Sequence, residues 1–326
     1  MIPSSHTGSM HNATGSRTGS TRPLGSSAAG ALEVVSAPPL LTIQDDGRPT
    51  GRSMGIPRSG AMDPVALHAT NALVGNPSGT AALEWAGGGG RLRVRRPMLI
   101  AIGGAHAEMT LGGNPAPWGV MLRARPGDLL DISAPTWGRW LYIAISGGIA
   151  VPEVLGARAT YLPARLGGFE GRTLVRGDLL PAGLTNTQLP DTRSAFDLRE
   201  AMTDVLARQH VHVMEAPATS SLPSECWTQL VARPLTVLPE SDRMGTRLSM
   251  LSDSNRAAAP APDDSARPSE PACIGLVQLT SNGQPLVIMP DGPTLGGYPA
   301  VACLRAGDVP VLAQRTPGER VRFIAR

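Results

Sequence analysis

A loop rich in polar side chains follows the first apolar segment of the sequence. Gln44, Asp45 and Arg48 lie within TIQDDGRPTG, directly after the apolar run LEVVSAPPLL. Glycine and proline at positions 47, 49 and 51 disfavour a helix, so we expect these side chains on a loop at the end of a strand. Arginine there can clamp a carboxylate, while glutamine and aspartate can bond an amide or activate water. The alternative is an ordinary polar turn.

Ser59 and Asp63 belong to a second polar segment, MGIPRSGAMDP, which leads into a helix. Asp63 followed by Pro64 is a strong signal for the start of a helix, and the apolar residues between 65 and 74 form one stripe. Gly75 then ends the predicted helix. The N-terminus of this helix is suited to hold an anion, and the aspartate is equally suited to cap the helix.

Two polar segments in the second half of the chain are further candidates. LPESDRMGTRL brings two acids and two arginines close together, with a solvated cluster of salt bridges as the alternative interpretation. DGPTLGGYP is more unusual, because paired glycines let the backbone approach a ligand and tyrosine offers a hydrogen-bonding ring. The candidate residues of these segments are Asp242, Arg243, Asp291, Thr294 and Tyr298.

The composition excludes several kinds of chemistry. The sequence has no lysine, so all 29 basic residues are arginine, and a Schiff-base lysine, a P-loop lysine and a biotinylated lysine are all impossible. The three cysteines are far apart and the six histidines form no triad or convincing metal pair, so we expect no metal site. The formal charge of +3 and the scattered arginines indicate no nucleic-acid surface.

The elements that must position these residues are mostly short strands. The 38 glycines and 31 prolines separate many short apolar runs, which favours turn-rich β structure with few helices. We predict a disordered tail at 1–31, a β-rich lobe at 32–183, a linker at 184–209, a second β-rich lobe at 210–326 and a mobile loop at 252–271. No apolar run is long enough to span a bilayer and no signal sequence is recognisable, so we expect a cytoplasmic protein.

Motifs along the whole chain occur in an order typical of one family. They are TIQDDGR, SGAMDP, NALVGNP and LEW, then ISGGIAVPEVLGARAT and LGGFEGRTLVRGDLL, then SDRMGTRL, IGLVQLTSNGQPLVIMPDGPTLGGYP and LAQRTPGERVRF. Together they resemble the allophanate hydrolase subunit 2 family, also known by its member KipA, over residues 32–326. The resemblance implies a mainly β fold with two cyclophilin-like β-barrel lobes.

The same resemblance leaves three functions open. The first, which it favours, is the C subunit of an ATP-dependent 5-oxoprolinase that opens a lactam to glutamate and uses ATP through its complex. The implied partners are a KipI-like B subunit together with a LamB/YcsF-like A subunit. The second is half of a biotin-dependent, urea-type carboxyltransferase domain, with the biotin carried by another protein. The third is a non-catalytic, KipA-like regulator that binds a KipI-type inhibitor.

Site residues follow from the motifs that match the family. Asp45 and Asp291 are the catalytic candidates, one of which would act as acid or base. Arg48 and Arg243 would bind an anionic group of a small amide substrate. The other expected substrate-binding residues are Gln44, Ser59, Asp63, Asp242, Gln278, Thr294 and Tyr298.

Two motifs depart from the family's pattern. The usual Gly-Ser-Arg-Ser-Thr has alanine at 157 and 159 here, which removes two hydroxyl groups. The usual Asp-Arg-Gln-Thr has Gly292 and Pro293 between Asp291 and Thr294 here, which removes an arginine and a glutamine. The second loss lies within a candidate site motif, so it bears directly on the substrate and on activity.

Overall fold

The computed structural model describes residues 30–185, 189–216, 224–250 and 268–326. Within these ranges the chain is mainly β with four α-helices, which confirms the predicted fold class. Nearly all of the predicted tail at 1–31 and most of the predicted loop at 252–271 lie outside the described residues. None of the described helices is both long and apolar enough to cross a membrane.

The N-terminal lobe is built from two sheets. Its strands are β1 (Leu32–Ser36), β2 (Leu40–Gln44), β3 (Ala82–Ala86), β4 (Gly90–Val94), β5 (Met98–His106), β6 (Met109–Leu111), β7 (Asn114–Pro115), β8 (Met121–Ala124), β9 (Leu129–Ile132), β10 (Trp137–Ile145) and β11 (Leu179–Leu180). One sheet has the order β11-β1-β4-β9-β6-β7 and the other the order β2-β3-β10-β5-β8. The loop after β2 therefore leaves the edge of the second sheet.

The C-terminal lobe forms a closed barrel of seven strands. Its strands are β12 (His210–Glu215), β13 (Leu235–Val237), β14 (Gly245–Ser249), β16 (Leu276–Leu279), β17 (Pro285–Ile288), β19 (Ala300–Leu304) and β20 (Arg320–Ala325), with β15 (Glu270–Pro271) and β18 (Leu295–Gly296) as a separate pair. The barrel order is β12-β19-β16-β17-β14-β13-β20, and β12 pairs with β20 in parallel to close it. Inward-facing apolar side chains such as Val211, Val277 and Phe323 are fully buried or nearly so.

The helix predicted after Asp63 is confirmed as α1 (Pro64–Leu73). The Asp63 carboxylate accepts a hydrogen bond from Ala66 N at 3.0 Å and so caps the helix. Gly75 follows with φ of 75°, a left-handed conformation that favours glycine and ends the helix. The buried residues Leu67, Ala69 and Leu73 pack this helix against β5 and β10.

The segment expected to be a linker contains a second helix, α2 (Thr192–Ala207). Met202, Val205 and Leu206 are buried, and the helix packs on α1 and β5. Their spacing places them on one face, which the polar composition of the preceding residues obscured. The remaining helices are α3 (Ser224–Ala232) and α4 (Val309–Ala313). Residues 192–207 are therefore a packed element, and the division of the chain into domains stays a prediction.

Polar contacts join the two lobes directly. Ser59 N donates to Pro290 O at 2.9 Å, and the Arg139 guanidinium donates to Ser241 O at 2.6 Å. Gln314, which follows α4, is fully buried and bonds the backbone of Trp140 on β10 through both its amide oxygen and its amide nitrogen. Side chains of the two lobes thus meet at defined positions, which is where the candidate site lies.

Candidate functional site

The loop that follows β2 is held in one conformation by its own aspartate. Asp45 Oδ1 accepts from Gly47 N at 2.8 Å, and Asp45 Oδ2 accepts from Arg158 N at 2.5 Å. Gly47 has φ of 80°, and a Cβ there would lie 2.6 Å from Ser59 O, so glycine is required. Because each carboxylate oxygen of Asp45 already holds a backbone donor, this predicted catalytic residue also organises the loop.

Several buried polar atoms of this region have no hydrogen-bond partner in the described part of the chain. Of six such atoms, four belong to three residues of the two polar loops: Gln44 Oε1, Arg48 Nε and Nη1, and Ser59 Oγ. A buried polar group without a partner costs about 1–3 kcal/mol, so most are satisfied in native proteins. Their concentration in one place is typical of a site that binds polar groups of a ligand.

Arg48 is the cation of this cluster. Its side chain is only 1% exposed, and Nη2 donates to Ala159 O. A Cβ at Gly167 would lie 2.5 Å from Nη2, so glycine leaves the space that the guanidinium occupies. Burial lowers the pKa of Arg48, whereas the carboxylates of Asp45 and Asp291 raise it, and arginine stays charged. The two predicted catalytic acids therefore lie in the electrostatic field of one buried guanidinium.

Ser59 adds a hydroxyl group on a strained backbone to the same region. Its φ is 54°, a left-handed conformation that costs a residue with a side chain on the order of 1–3 kcal/mol. Strain of this kind concentrates at functional sites. The side chain is 3% exposed, and the backbone N–H is held by Pro290 O of the other lobe. The backbone of Ser59 is thereby fixed, and within the described residues its hydroxyl has no hydrogen-bond partner.

Arg243 and Asp291, both predicted from the sequence, form a buried pair. Arg243 Nε donates to Asp291 Oδ2 at 2.8 Å, and Nη2 donates to Asp291 Oδ1 at 3.0 Å. The same guanidinium donates to Gly60 O at 2.7 Å and to Glu84 Oε1. Burial opposes the charge of Arg243, but the Asp291 and Glu84 carboxylates outweigh it and raise its pKa. An anionic ligand of Arg243 would thus have to compete with three protein acceptors.

A network that sequence reasoning missed continues from Glu84. Tyr142 Oη donates to Glu84 Oε2 at 2.6 Å and accepts from Asp63 N at 2.8 Å. Burial raises the pKa of Glu84 and also raises that of Tyr142 well above its usual value. An acid inside the apolar strand ALEWA was the available signal, because buried acids require partners.

Asp63 is joined to the second lobe through this network. Its Oδ2 accepts from Gln314 Nε2 at 2.8 Å, and burial raises its pKa to about 6. The predicted helix cap is therefore also a contact between lobes. The substrate-binding role that was expected for Asp63 has little access, since the residue is only 1% exposed.

A cavity of about 360 Å³, here called the interlobe cavity, opens beside these loops. Its volume is in the range of small-molecule sites. The wall from the N-terminal lobe carries the polar residues Asp45, Asp46, Arg58, Ser59 and His68. The wall from the C-terminal lobe is apolar and includes Ile274, Pro290, Ala306 and Val309. The cavity therefore offers one polar face and one apolar face to a small ligand.

His68 and Asp46 form a hydrogen-bonded pair on the polar wall that the sequence did not reveal. His68 Nε2 lies 2.6 Å from Asp46 Oδ1, and the two side chains are 42% and 47% exposed. His68 is on the second turn of α1, whereas Asp46 belongs to the loop after β2. The sequence offered no signal, because 22 residues separate the two and only the fold brings them together.

Four predicted site residues lie in the barrel apart from these contacts. Asp242 is exposed, and its Oδ1 accepts from Met244 N and Gly245 N, as in an ordinary polar turn. Gln278 Nε2 donates to Tyr298 O at 3.1 Å, and Thr294 O accepts from Ala272 N. In the described ranges, none of Asp242, Gln278, Thr294 and Tyr298 lines the interlobe cavity. Their substrate-binding roles stay predictions.

The donors of Arg48 and Ser59 that have no partner among the described residues suit an anionic ligand. Across the described ranges, no three His, Cys, Asp or Glu side chains gather as metal ligands would. The buried Arg48 donors and the Ser59 hydroxyl suit an anionic oxygen, either of a carboxylate or of a phosphate. These residues therefore point to an anion.

Comparison with known proteins identifies the family. The family model for the carboxyltransferase domain, subdomain A and B, matches residues 54–325. The chain belongs to this carboxyltransferase family. Two curated relatives of this chain are each named as the C subunit of 5-oxoprolinase. The protein of Escherichia coli is 32% identical over 90% of both chains, and that of Haemophilus influenzae is 30% identical over 90% of this chain and 91% of the relative.

Larger proteins contain the same carboxyltransferase unit. Urea amidolyase of Lachancea kluyveri is 28% identical over 90% of this chain but only 17% of its own length. The crystal structure of Kluyveromyces lactis urea carboxylase superposes with a TM-score of 0.80 at 28% identity, covering 91% of this chain and 27% of that one. The urea amidolyase of K. lactis gives a TM-score of 0.78, and this chain covers 19% of it. This chain thus corresponds to a minor part of these solved proteins.

Proposed function

We propose that this chain is the C subunit of an ATP-dependent 5-oxoprolinase complex, which opens the lactam ring of 5-oxoproline to glutamate. In this proposal it acts with a KipI-like B subunit together with a LamB/YcsF-like A subunit, and ATP is used through the complex. The names of two relatives that align along 90% or more of their length support this assignment. The expected cytoplasmic location is part of the same proposal.

The observation that carries the proposal is the polar wall of the interlobe cavity. Asp45 and Ser59 line it, and the buried donors of Arg48, which is not itself a lining residue, lie in the field of Asp45. The substrate 5-oxoproline carries a carboxylate and a cyclic amide on a small apolar ring. A buried arginine suits the carboxylate, a hydroxyl donor suits the amide oxygen, and the apolar wall suits the ring methylenes.

The proposed reaction requires a proton to move twice. Water adds to the lactam carbonyl carbon, and the carbon–nitrogen bond then breaks while the ring nitrogen takes up a proton. The products are the amine and the second carboxylate of glutamate. In this scheme Arg48 holds the substrate carboxylate so that the carbonyl stays in position, whereas an acid or base role for Asp45 or Asp291 has to compete with the donors that both carboxylates already hold.

A second candidate is half of a urea-type carboxyltransferase. The name of the matching family and the two urea-processing structures favour it. A separate biotin carrier would be needed, because a chain without lysine cannot be biotinylated. The chemistry is related, since the acceptor in this case is also a small amide.

One experiment distinguishes the two candidate functions. The chain is co-expressed with its KipI-like and LamB/YcsF-like partners, and the purified complex is given ATP with either 5-oxoproline or, together with a carboxybiotin donor, urea. ATP-dependent release of glutamate is the expected result, with complex lacking this chain as the control. Carboxyl transfer to urea without glutamate release would instead establish the second candidate. A complex inactive on both amides would leave the KipA-like regulator, and binding to the KipI-like protein in isolation would then identify it.

A further inference from the structure

Both predicted catalytic carboxylates hold protein donors on both of their oxygens. Both oxygens of Asp45 accept backbone N–H groups, from Gly47 and Arg158. Both oxygens of Asp291 accept from the guanidinium of Arg243. Each acid is thus engaged by protein donors, and Asp291 is not among the residues that line the cavity, so the proton transfers of the proposed reaction call for another group on the cavity wall.

His68 offers a ring nitrogen to which none of the described residues donates. It lines the interlobe cavity, and its Nε2 is 2.6 Å from Asp46 Oδ1. An ionised carboxylate can only accept, so Nε2 carries the proton of this hydrogen bond. In the neutral ring, Nδ1 therefore holds the lone pair, and among the described residues no hydrogen bond engages it. An imidazole with one nitrogen fixed by a carboxylate is the arrangement of a general base.

Asp46 is itself held in place. A Cβ at Gly79 would overlap the Asp46 carboxylate, and Gly79 has φ of 74°, so only glycine suits both the space and the backbone. Arg58 Nε donates to the Asp46 carbonyl oxygen at 3.0 Å. The loop and the helix turn therefore present the His68 ring to the cavity in a restricted orientation.

We propose that His68, oriented by Asp46, transfers the proton on the amide substrate in the interlobe cavity. This rests on the proposed function. His68 Nδ1 takes a proton from the attacking water as the oxygen–carbon bond forms, and the imidazolium then gives that proton to the amide nitrogen as the carbon–nitrogen bond breaks. His68 returns to its neutral form, and one water is consumed for each amide opened. Asp46 is a positioning residue, since its carboxylate acts through the ring.

The test compares His68→Gln and Asp46→Asn with wild type in the reconstituted complex. General acid–base catalysis contributes about 100-fold or more, so His68→Gln should lower kcat by at least that factor while KM changes little. The acidic limb of the kcat/KM profile against pH should disappear in His68→Gln and move in Asp46→Asn. The other charged groups on this wall, Asp45 and Arg58, are unchanged in both variants. His210→Gln, outside the cavity, is the matched control and should keep wild-type rates.

Chemical rescue distinguishes a catalytic role of His68 from a structural one. Added imidazole should restore part of the rate of His68→Gly and none of the rate of Arg48→Ala. A His68→Gln complex within about threefold of wild type, with its acidic limb intact, would overturn the inference while leaving the oxoprolinase assignment standing. If wild type itself releases no glutamate, the function fails, and the inference is decided by nuclear magnetic resonance on the full chain. The His68 Nδ1 resonance should then move on adding 5-oxoproline or urea, and that of His210 should not; no movement with either amide refutes the inference.

Discussion

Individual residues in this chain combine burial with unmet hydrogen-bonding capacity. Arg48 is the clearest case, because its guanidinium is almost fully buried yet two of its three nitrogens have no acceptor within the described part of the chain. Arg243, equally buried, differs in that Glu84, Asp291 and Gly60 surround it. This contrast separates an arginine with donors left unused among the described residues from one whose three nitrogens all donate to protein acceptors.

Replacing Arg48 tests the first of these roles. Arg48→Met keeps the length of the side chain but removes the charge, so KM for 5-oxoproline should rise roughly 10- to 100-fold, the equivalent of a charge-assisted hydrogen bond. Steady-state kinetics of the reconstituted complex measure this. Arg125→Ala, at an exposed position, is the control. An unchanged KM in Arg48→Met would show that the substrate carboxylate binds elsewhere.

At the scale of secondary-structure elements, helix α1 carries both its own N-cap and a residue of the cavity wall. Asp63 caps its N-terminus, and His68 projects from its second turn toward Asp46. The cap is buried, and its pKa is raised to about 6 by loss of solvent, with the hydrogen bonds from Gln314 and Ala66 opposing that rise. The helix thus begins at a carboxylate that is costly to ionise.

This raised pKa predicts a dependence of stability on pH. The folded protein binds the Asp63 proton more tightly than the unfolded chain does, so the contribution is favourable below the usual pKa near 3.8 and is lost as pH rises through about 6. The shift corresponds to roughly 3 kcal/mol. In urea titrations, the stability of wild type relative to Asp63→Asn should therefore fall by up to this amount between pH 4 and pH 7. A constant difference would indicate that Asp63 is not buried as described.

At the scale of the whole molecule, the two lobes share one buried polar network. Arg243 of the barrel reaches Glu84 on β3, and Gln314 reaches Asp63 and the backbone of Trp140. Since the interlobe cavity lies between the same lobes, its shape depends on this network. Charged groups at the junction therefore bear on both stability and binding.

Removal of Arg243 measures that dependence. Arg243→Met leaves Glu84 and Asp291 buried without their cation, so the free energy of unfolding should fall by about 3–5 kcal/mol. Chemical denaturation of the isolated chain provides the measurement. Arg247→Met, on the following strand β14 and exposed, should change it by less than about 0.5 kcal/mol. A loss below about 1 kcal/mol for Arg243→Met would contradict the role given to the network.

Sequence reasoning could group site residues that are close together in the chain. Gln44, Asp45 and Arg48 could be grouped because they are neighbours on one loop, and Asp63 could be named as a cap because its partner is three residues away. Asp242 looked equivalent to Arg243 beside it, yet one is an exposed turn residue and the other is buried. The difference lies in which side chain reaches the N-terminal lobe, because Arg243 donates to Glu84 and Gly60 there.

The sequence by itself determined the mainly β class, the α1 helix, the absence of lysine chemistry and the membership of the family. These depend on local periodicity, on composition and on the order of motifs. Only the tertiary structure decided that Glu84 accepts hydrogen bonds from Arg243 and Tyr142, that residues 192–207 pack as a helix, and that Asp46 contacts His68. Such pairings join residues far apart in the chain, and burial, which makes unpaired polar groups costly, exists only once the lobes have packed.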